Sequence, residues 1–118
     1  MTMSIATTTI QTILIMIFLI SGVGKVSGLS MHVNNFKRLQ LPQWFRVVTG
    51  TVQLIGAAGL AVGYFYPHWA MFAGIGLALT MAGAIWAHVR IKDDFKQTVA
   101  AIVLFCVTIA YLICLMGN

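Results

Sequence analysis

Apolar residues run through this chain in three charge-free tracts, residues 1–24, 47–89 and 97–118, and two short segments between them hold every charge. A hydrocarbon core about 30 Å thick takes about 20 helical residues per crossing. Each outer tract therefore accommodates one span and the middle tract two, predicted at about 7–26, 47–66, 69–89 and 98–116. The middle tract divides at Tyr66-Pro67-His68, because proline cannot continue a helix interior and Tyr64, Phe65, Tyr66 and Trp69 cluster there like an interfacial belt. The pattern predicts an all-α protein with a single transmembrane domain over residues 1–118, an integral membrane four-helix antiparallel bundle.

Composition agrees with that solvent. Sixty per cent of residues are hydrophobic and 8% charged, and the mean hydropathy is +0.96, too little polarity to cover a water-soluble globule of this size. The net charge of +5 is not the footprint of a nucleic-acid binder, since the basic residues sit between apolar runs and not on one solvated face. They read instead as topology signals. Lys25, Lys37, Arg38 and Arg46 fall in the first charged segment and Arg90, Lys92 and Lys96 in the second, so both segments are expected inside and both termini extracytoplasmic. The first span carries no Lys or Arg before its apolar run, the polarity of a reverse anchor and not of a secretory signal peptide.

Between the first two spans, residues 30–45 place Ser30 as an N-cap, with Val33, Phe36 and Leu39 on one side and Lys37 and Arg38 facing away. This fits a short helix lying on the inner membrane surface; an irregular loop with snorkelling cations satisfies the same pattern. Asp94 fits the N-cap of the last span, and Asp93 favours the same terminus electrostatically.

Polar chemistry inside the spans is sparse. Gln53 shares a helical face with Arg46, Gly50 and Ala57 and must find partners inside the bundle, either as interhelical glue or as a cavity wall that contacts a ligand. Thr80, Ala84 and His88 form a similar strip on the third span. The deduced topology brings Lys25, Arg46, His88 and Arg90 to one leaflet, a basic funnel leading to Gln53 and Thr80. Its ligand would have an anionic or carbonyl-bearing head and an apolar body, a quinone or a lipid. For each cation taken singly, the positive-inside anchor is the competing explanation. Lys25 poses that question most sharply, because glycines stand at 22, 24 and 28 around it. The pairs Gly59/Gly63 and Gly83/Ala87 have the small-xxx-small spacing that lets helices approach closely.

Several chemistries are not encoded. Cys106 and Cys114 lie eight residues apart on one span and form no Cys-x-x-Cys pair. His68 falls outside while His32 and His88 fall inside, so the three histidines make no metal site. Catalytic residues are not identifiable, no phosphate loop or nucleophile motif is present, and the protein is expected to have no catalytic activity on its own.

The segments FLISGVGKVSG, NNFKRLQLPQWFRVVTGTVQLIGAAGLAVGYFYP and MAGAIWAHVRIKDDF, in this order, resemble the DoxX-like family of small bacterial membrane proteins. The resemblance implies a four-helix bundle in the bacterial cytoplasmic (inner) membrane. It carries Lys25, Gly50, Gly56 and His88 onto positions where the family has the same residue types, and departs at Gln53, where many members have glutamate. An amide keeps hydrogen bonding to a head group but not acid–base work. The family name derives from a quinone-linked sulfur-oxidising complex, and other members are linked to oxidoreductase assemblies or stress responses. The implied role is an accessory or binding subunit, with quinone as the one cofactor to consider and a membrane oxidoreductase or a homo-oligomer as partner. A small multidrug-type transporter is the alternative, but proton-coupled exchange needs an acid inside the membrane, and both acids lie at 93 and 94.

Overall fold

The computed structural model describes residues 4–93 and 95–117, and the expected N-cap role of Asp94 lies outside them. These residues form five helices: α1 (Ile5–Ser27), α2 (Ser30–Arg38), α3 (Gln43–Val62), α4 (Pro67–Arg90) and α5 (Phe95–Met116). The four long helices are each long and apolar enough to cross a membrane, and no more than 33% of any is buried within the protein. Ile20, Ile55, Phe72, Leu79 and Ile113 are among the large apolar side chains left exposed, which water would penalise and hydrocarbon accepts. The chain is a multi-pass membrane protein.

Helix ends follow local chemistry. Ser4 caps α1 by accepting the Thr7 amide at 3.1 Å. Gly28 ends it in the left-handed region at φ 80°, and the Leu29 amide closes back on the Gly24 carbonyl at 3.0 Å. Pro67 opens α4, where its missing N–H costs nothing. α2 takes the helical of the two forms expected for this segment and buries Phe36 and Leu39. Ser30 is its first helical residue and not its N-cap; Leu29 holds the cap position, and its carbonyl accepts from His32 and Val33.

In the bundle, α1 packs on α3 and α5, α4 packs on the same two, and α2 lies across α1 and α3. Leu14, Phe18, Leu60, Leu77, Tyr111 and Leu115 fill the centre. Gln11 on α1 crosses this core, donating to the Leu60 carbonyl of α3 at 2.7 Å and accepting from the Tyr111 hydroxyl of α5 at 2.9 Å. One amide thereby ties three helices where no water competes.

Glycines set the helix spacing at defined points. A Cβ on Gly56 would meet Leu77 at 2.6 Å, one on Gly59 would meet Ala73 at 2.8 Å, and one on Gly63 would meet Ala70 Cβ at 2.3 Å and its Cα at 2.9 Å, so α3 rests directly on α4. Gly50 faces α1 in the same way, 2.7 Å from Lys25 Cβ. Gly83 differs, for nothing lies within 4 Å of its Cβ direction; it faces open space and not a neighbouring helix. Accordingly, Gly63→Ala is expected to destabilise the bundle by about 1–3 kcal/mol through overpacking against backbone. Gly83→Ala, free of contact, should be neutral or gain up to about 1 kcal/mol in helix propensity. Titration of helicity with SDS checks the pair, and equal losses at both sites would contradict this assignment of the packing face.

Candidate functional site

The charged end of the bundle contains a cavity of about 680 Å³ bordered by all five helices. α2 forms one side with Met31, His32, Asn35, Phe36 and Leu39, while Val52, Met81 and Leu104 of the long helices supply apolar wall. The volume falls within the range of small-molecule sites, about 300–1,000 Å³. Most of the lining is hydrocarbon, so its few polar groups carry the chemical information.

Those groups begin on α1. Ser21 and Lys25 are one turn apart on the same face, and Lys25 Nζ donates to Ser21 Oγ at 2.6 Å. Ser21 Oγ in turn donates to Gln53 Oε1 of α3 at 3.0 Å. Gln53 is 1% exposed, borders the cavity, and is therefore both interhelical glue and cavity wall. This chain closes because α1 and α3 touch through glycine: a Cβ on Gly22 would lie 2.9 Å from the Gly50 carbonyl, and one on Gly50 would lie 2.9 Å from the Gly22 carbonyl.

The other two glycines around Lys25 also have physical reasons. A Cβ on Gly24 would meet the His32 ring at 2.9 Å, so α2 can seat its imidazole only against bare backbone. Gly28 adopts the left-handed turn that starts α2 beside the Arg46 guanidinium.

Of the four funnel cations, Lys25 and His88 border the cavity; Arg46 and Arg90 do not. Arg46 donates Nη1 to the Lys25 carbonyl and Nε to Gln43 Oε1 at 2.8 Å, which caps the negative end of α1. Arg90 donates to the Leu39 carbonyl at the end of α2 and lies over the Trp86 ring, 5.1 Å from its centroid. Arg46 thus ties α3 to the end of α1, and Arg90 ties α4 to the end of α2. Thr80 borders it, with its hydroxyl proton given to the Gly76 carbonyl at 2.9 Å, leaving lone pairs free.

Asp93 does more than the helix-terminus role that its position suggests. Lys92 turns left-handed at φ 52° and the Asp93 amide donates to the His88 carbonyl at 2.9 Å, which swings the carboxylate back over α4. There it accepts Arg38 Nε at 2.8 Å and Nη2 at 3.0 Å, with His88 Nδ1 2.5 Å from Oδ2. The carboxylate is 3% exposed against 41% for Arg38. Arg38 thus does not simply face solvent: it latches α2 to the turn between α4 and α5. The pairing spans 55 residues and leaves no trace in local spacing. His32 and Asn35 are likewise cavity residues outside the predicted funnel, and their i, i+3 spacing is the signal in the sequence that puts them on one face of α2.

His32 is held below the usual histidine range, first by burial and then by the nearby Lys25 and Arg46 charges. A histidine that is neutral when docked but protonated when released favours release below the unfolded value of about 6.5. Docking of α2 is therefore expected to be complete above about pH 6.5 and to weaken as pH falls through the lowered folded value. Hydrogen exchange of α2 amides, corrected for intrinsic rates, should accelerate on acidification and do so less in His32→Gln. An identical acid response in that variant would contradict the assignment.

Comparison with known proteins places this geometry in context. A family model described as the DoxX-like family matches residues 9–111. Uncharacterized protein YdgD of Bacillus subtilis (strain 168) is 33% identical over 92 residues, covering 77% of this chain and 81% of that protein. No solved structure matches.

Proposed function

We propose that this chain, which belongs to the DoxX-like family, is a membrane-embedded binding protein that holds the head group of an apolar ligand, a quinone or a lipid, in the cavity beneath α2. The observation that carries the reading is the polar chain Lys25–Ser21–Gln53 set into a largely apolar cavity of about 680 Å³. The amide nitrogen of Gln53 has no protein acceptor among the described residues. No side-chain polar atom among them is both buried and unbonded, so this donor keeps some accessible surface, and Gln53 lines the cavity. It is available to a carbonyl, hydroxyl or phosphate oxygen.

Binding is favoured over transport because the chain has two acidic residues, at 93 and 94, and Asp93 is engaged at the bundle end. Proton-coupled cation exchange would need a carboxylate within a span. In this reading the membrane is the bacterial inner membrane and the positive-inside rule turns the cavity toward the cytoplasm, where a held quinone or lipid would serve an adjoining oxidoreductase or a stress response.

Native mass spectrometry of protein taken from the inner-membrane fraction in nanodiscs tests the reading. A retained small molecule is expected, reduced several-fold in Gln53→Ala, which removes the amide but leaves the helix intact. A ligand-free mass for the unaltered protein would overturn the proposal, and recovery of the protein from another membrane fraction would overturn the placement.

A further inference from the structure

The cavity's polar groups can be sorted by what they still offer once their protein partners are counted. Lys25 has three ammonium donors and one described partner, the Ser21 hydroxyl at 2.6 Å. That hydroxyl spends its own proton on Gln53 Oε1 at 3.0 Å, which leaves the Gln53 amide nitrogen as a second open donor. Lys25 and Gln53 are bridged by a single hydroxyl, so both sets of donors converge on one region of the cavity. Ser21 Oγ and Gln53 Oε1 each already accept one hydrogen bond, so most of the unspent capacity of this polar chain lies with its donors.

Charge is equally one-sided. The other cations near this mouth are accounted for: Arg46 and Arg90 are bound to carbonyls, and Arg38 shares the Asp93 carboxylate with His88. Lys25 has no carboxylate partner among the described residues. An ammonium held in an apolar-walled cavity with only a neutral hydroxyl for company is incompletely compensated, and removing charge from water without a counter-charge is costly.

We propose that the ligand is a monoanionic amphiphile, its carboxylate or phosphodiester oxygens seated on the Lys25 ammonium and the Gln53 amide and its hydrocarbon against Val52, Met81 and Leu104. This rests on the binding reading above and narrows it, since a neutral quinone would fill the space but leave Lys25 without its counter-ion. The converging donors fit the oxygens of an oxyanion, and the surrounding low dielectric strengthens the pairing.

The test uses Trp86, which borders the cavity, as the reporter in the full chain carrying Trp44→Phe and Trp69→Phe. In neutral-detergent micelles, the protein is titrated with dibromostearate at a pH where its carboxyl is ionised, and separately with the methyl ester of the same acid. Saturable quenching by the acid is expected at about tenfold lower concentration than by the ester, equivalent to about 1.4 kcal/mol. Lys25→Met should bring the acid to the ester's level, while Lys25→Arg keeps the preference. Brominated phosphatidylglycerol against phosphatidylcholine of the same chains then separates the two sources of the anion: preference in this pair assigns a phospholipid, and preference confined to the stearate pair assigns a free fatty acid. Equal quenching by acid and ester in the protein with Lys25 intact would overturn the anionic assignment and leave the binding reading standing. Quenching by none of the four probes would overturn both.

Discussion

The polar chain at the charged end of this bundle depends on the contact between Gly22 of α1 and Gly50 of α3. Lipid tails are as apolar as leucine, so helices in a membrane gain little by hiding hydrophobic surface and associate through close packing and hydrogen bonds. Here the backbones come close enough that a Cβ on either glycine would sit 2.9 Å from the other's carbonyl oxygen. At that spacing the short Ser21 side chain reaches Gln53 across the interface, and Lys25 reaches Ser21 from one turn away. A wider separation would leave three polar groups facing hydrocarbon. Gly24 extends the principle to the surface helix, because its bare backbone is the seat of the His32 ring.

Two polar systems in the same apolar bundle serve different ends. Around Gln11, the Leu60 carbonyl and the Tyr111 hydroxyl satisfy both ends of the amide, and the cluster is closed. Around Gln53, which borders the cavity, one end of the amide is satisfied and the other has no partner among the described residues. The closed cluster fixes which faces of α1, α3 and α5 meet, as a satisfied buried network does. Openness at Gln53 and Lys25 is what sets that site apart from the closed cluster, and it is the feature on which the proposed binding rests.

The four crossings were legible because charge-free tract length and the Pro67 break report directly on the solvent and on backbone chemistry. The apolar positions Phe36 and Leu39 were visible too, but an irregular loop satisfied the same pattern, and only the fold shows them buried by a helix and its C-cap. Lys25, Gln53, Thr80 and His88 do meet at one cavity. Sequence spacing gives the leaflet of a cation but not the direction of its side chain, so it does not separate Lys25 and His88, which border the cavity, from Arg46 and Arg90, which backbone carbonyls hold. The same limit applies to Gly83, whose spacing suits packing but whose azimuth turns it to open space. The Arg38–Asp93 latch and the Gln11–Tyr111 bond join positions 55 and 100 residues apart, and only the assembled bundle brings them together.

If the glycine contact creates the polar site, Ser21 and Gln53 must be energetically coupled, and the coupling must require that contact. A double-mutant cycle of Ser21→Ala and Gln53→Leu, read by SDS unfolding, is predicted to give a coupling of about 0.6–1.7 kcal/mol. Repeated in a Gly50→Ala background, where the helices must separate, the coupling is predicted to vanish. Additive effects in the native background, or an undiminished coupling after Gly50→Ala, would contradict the account.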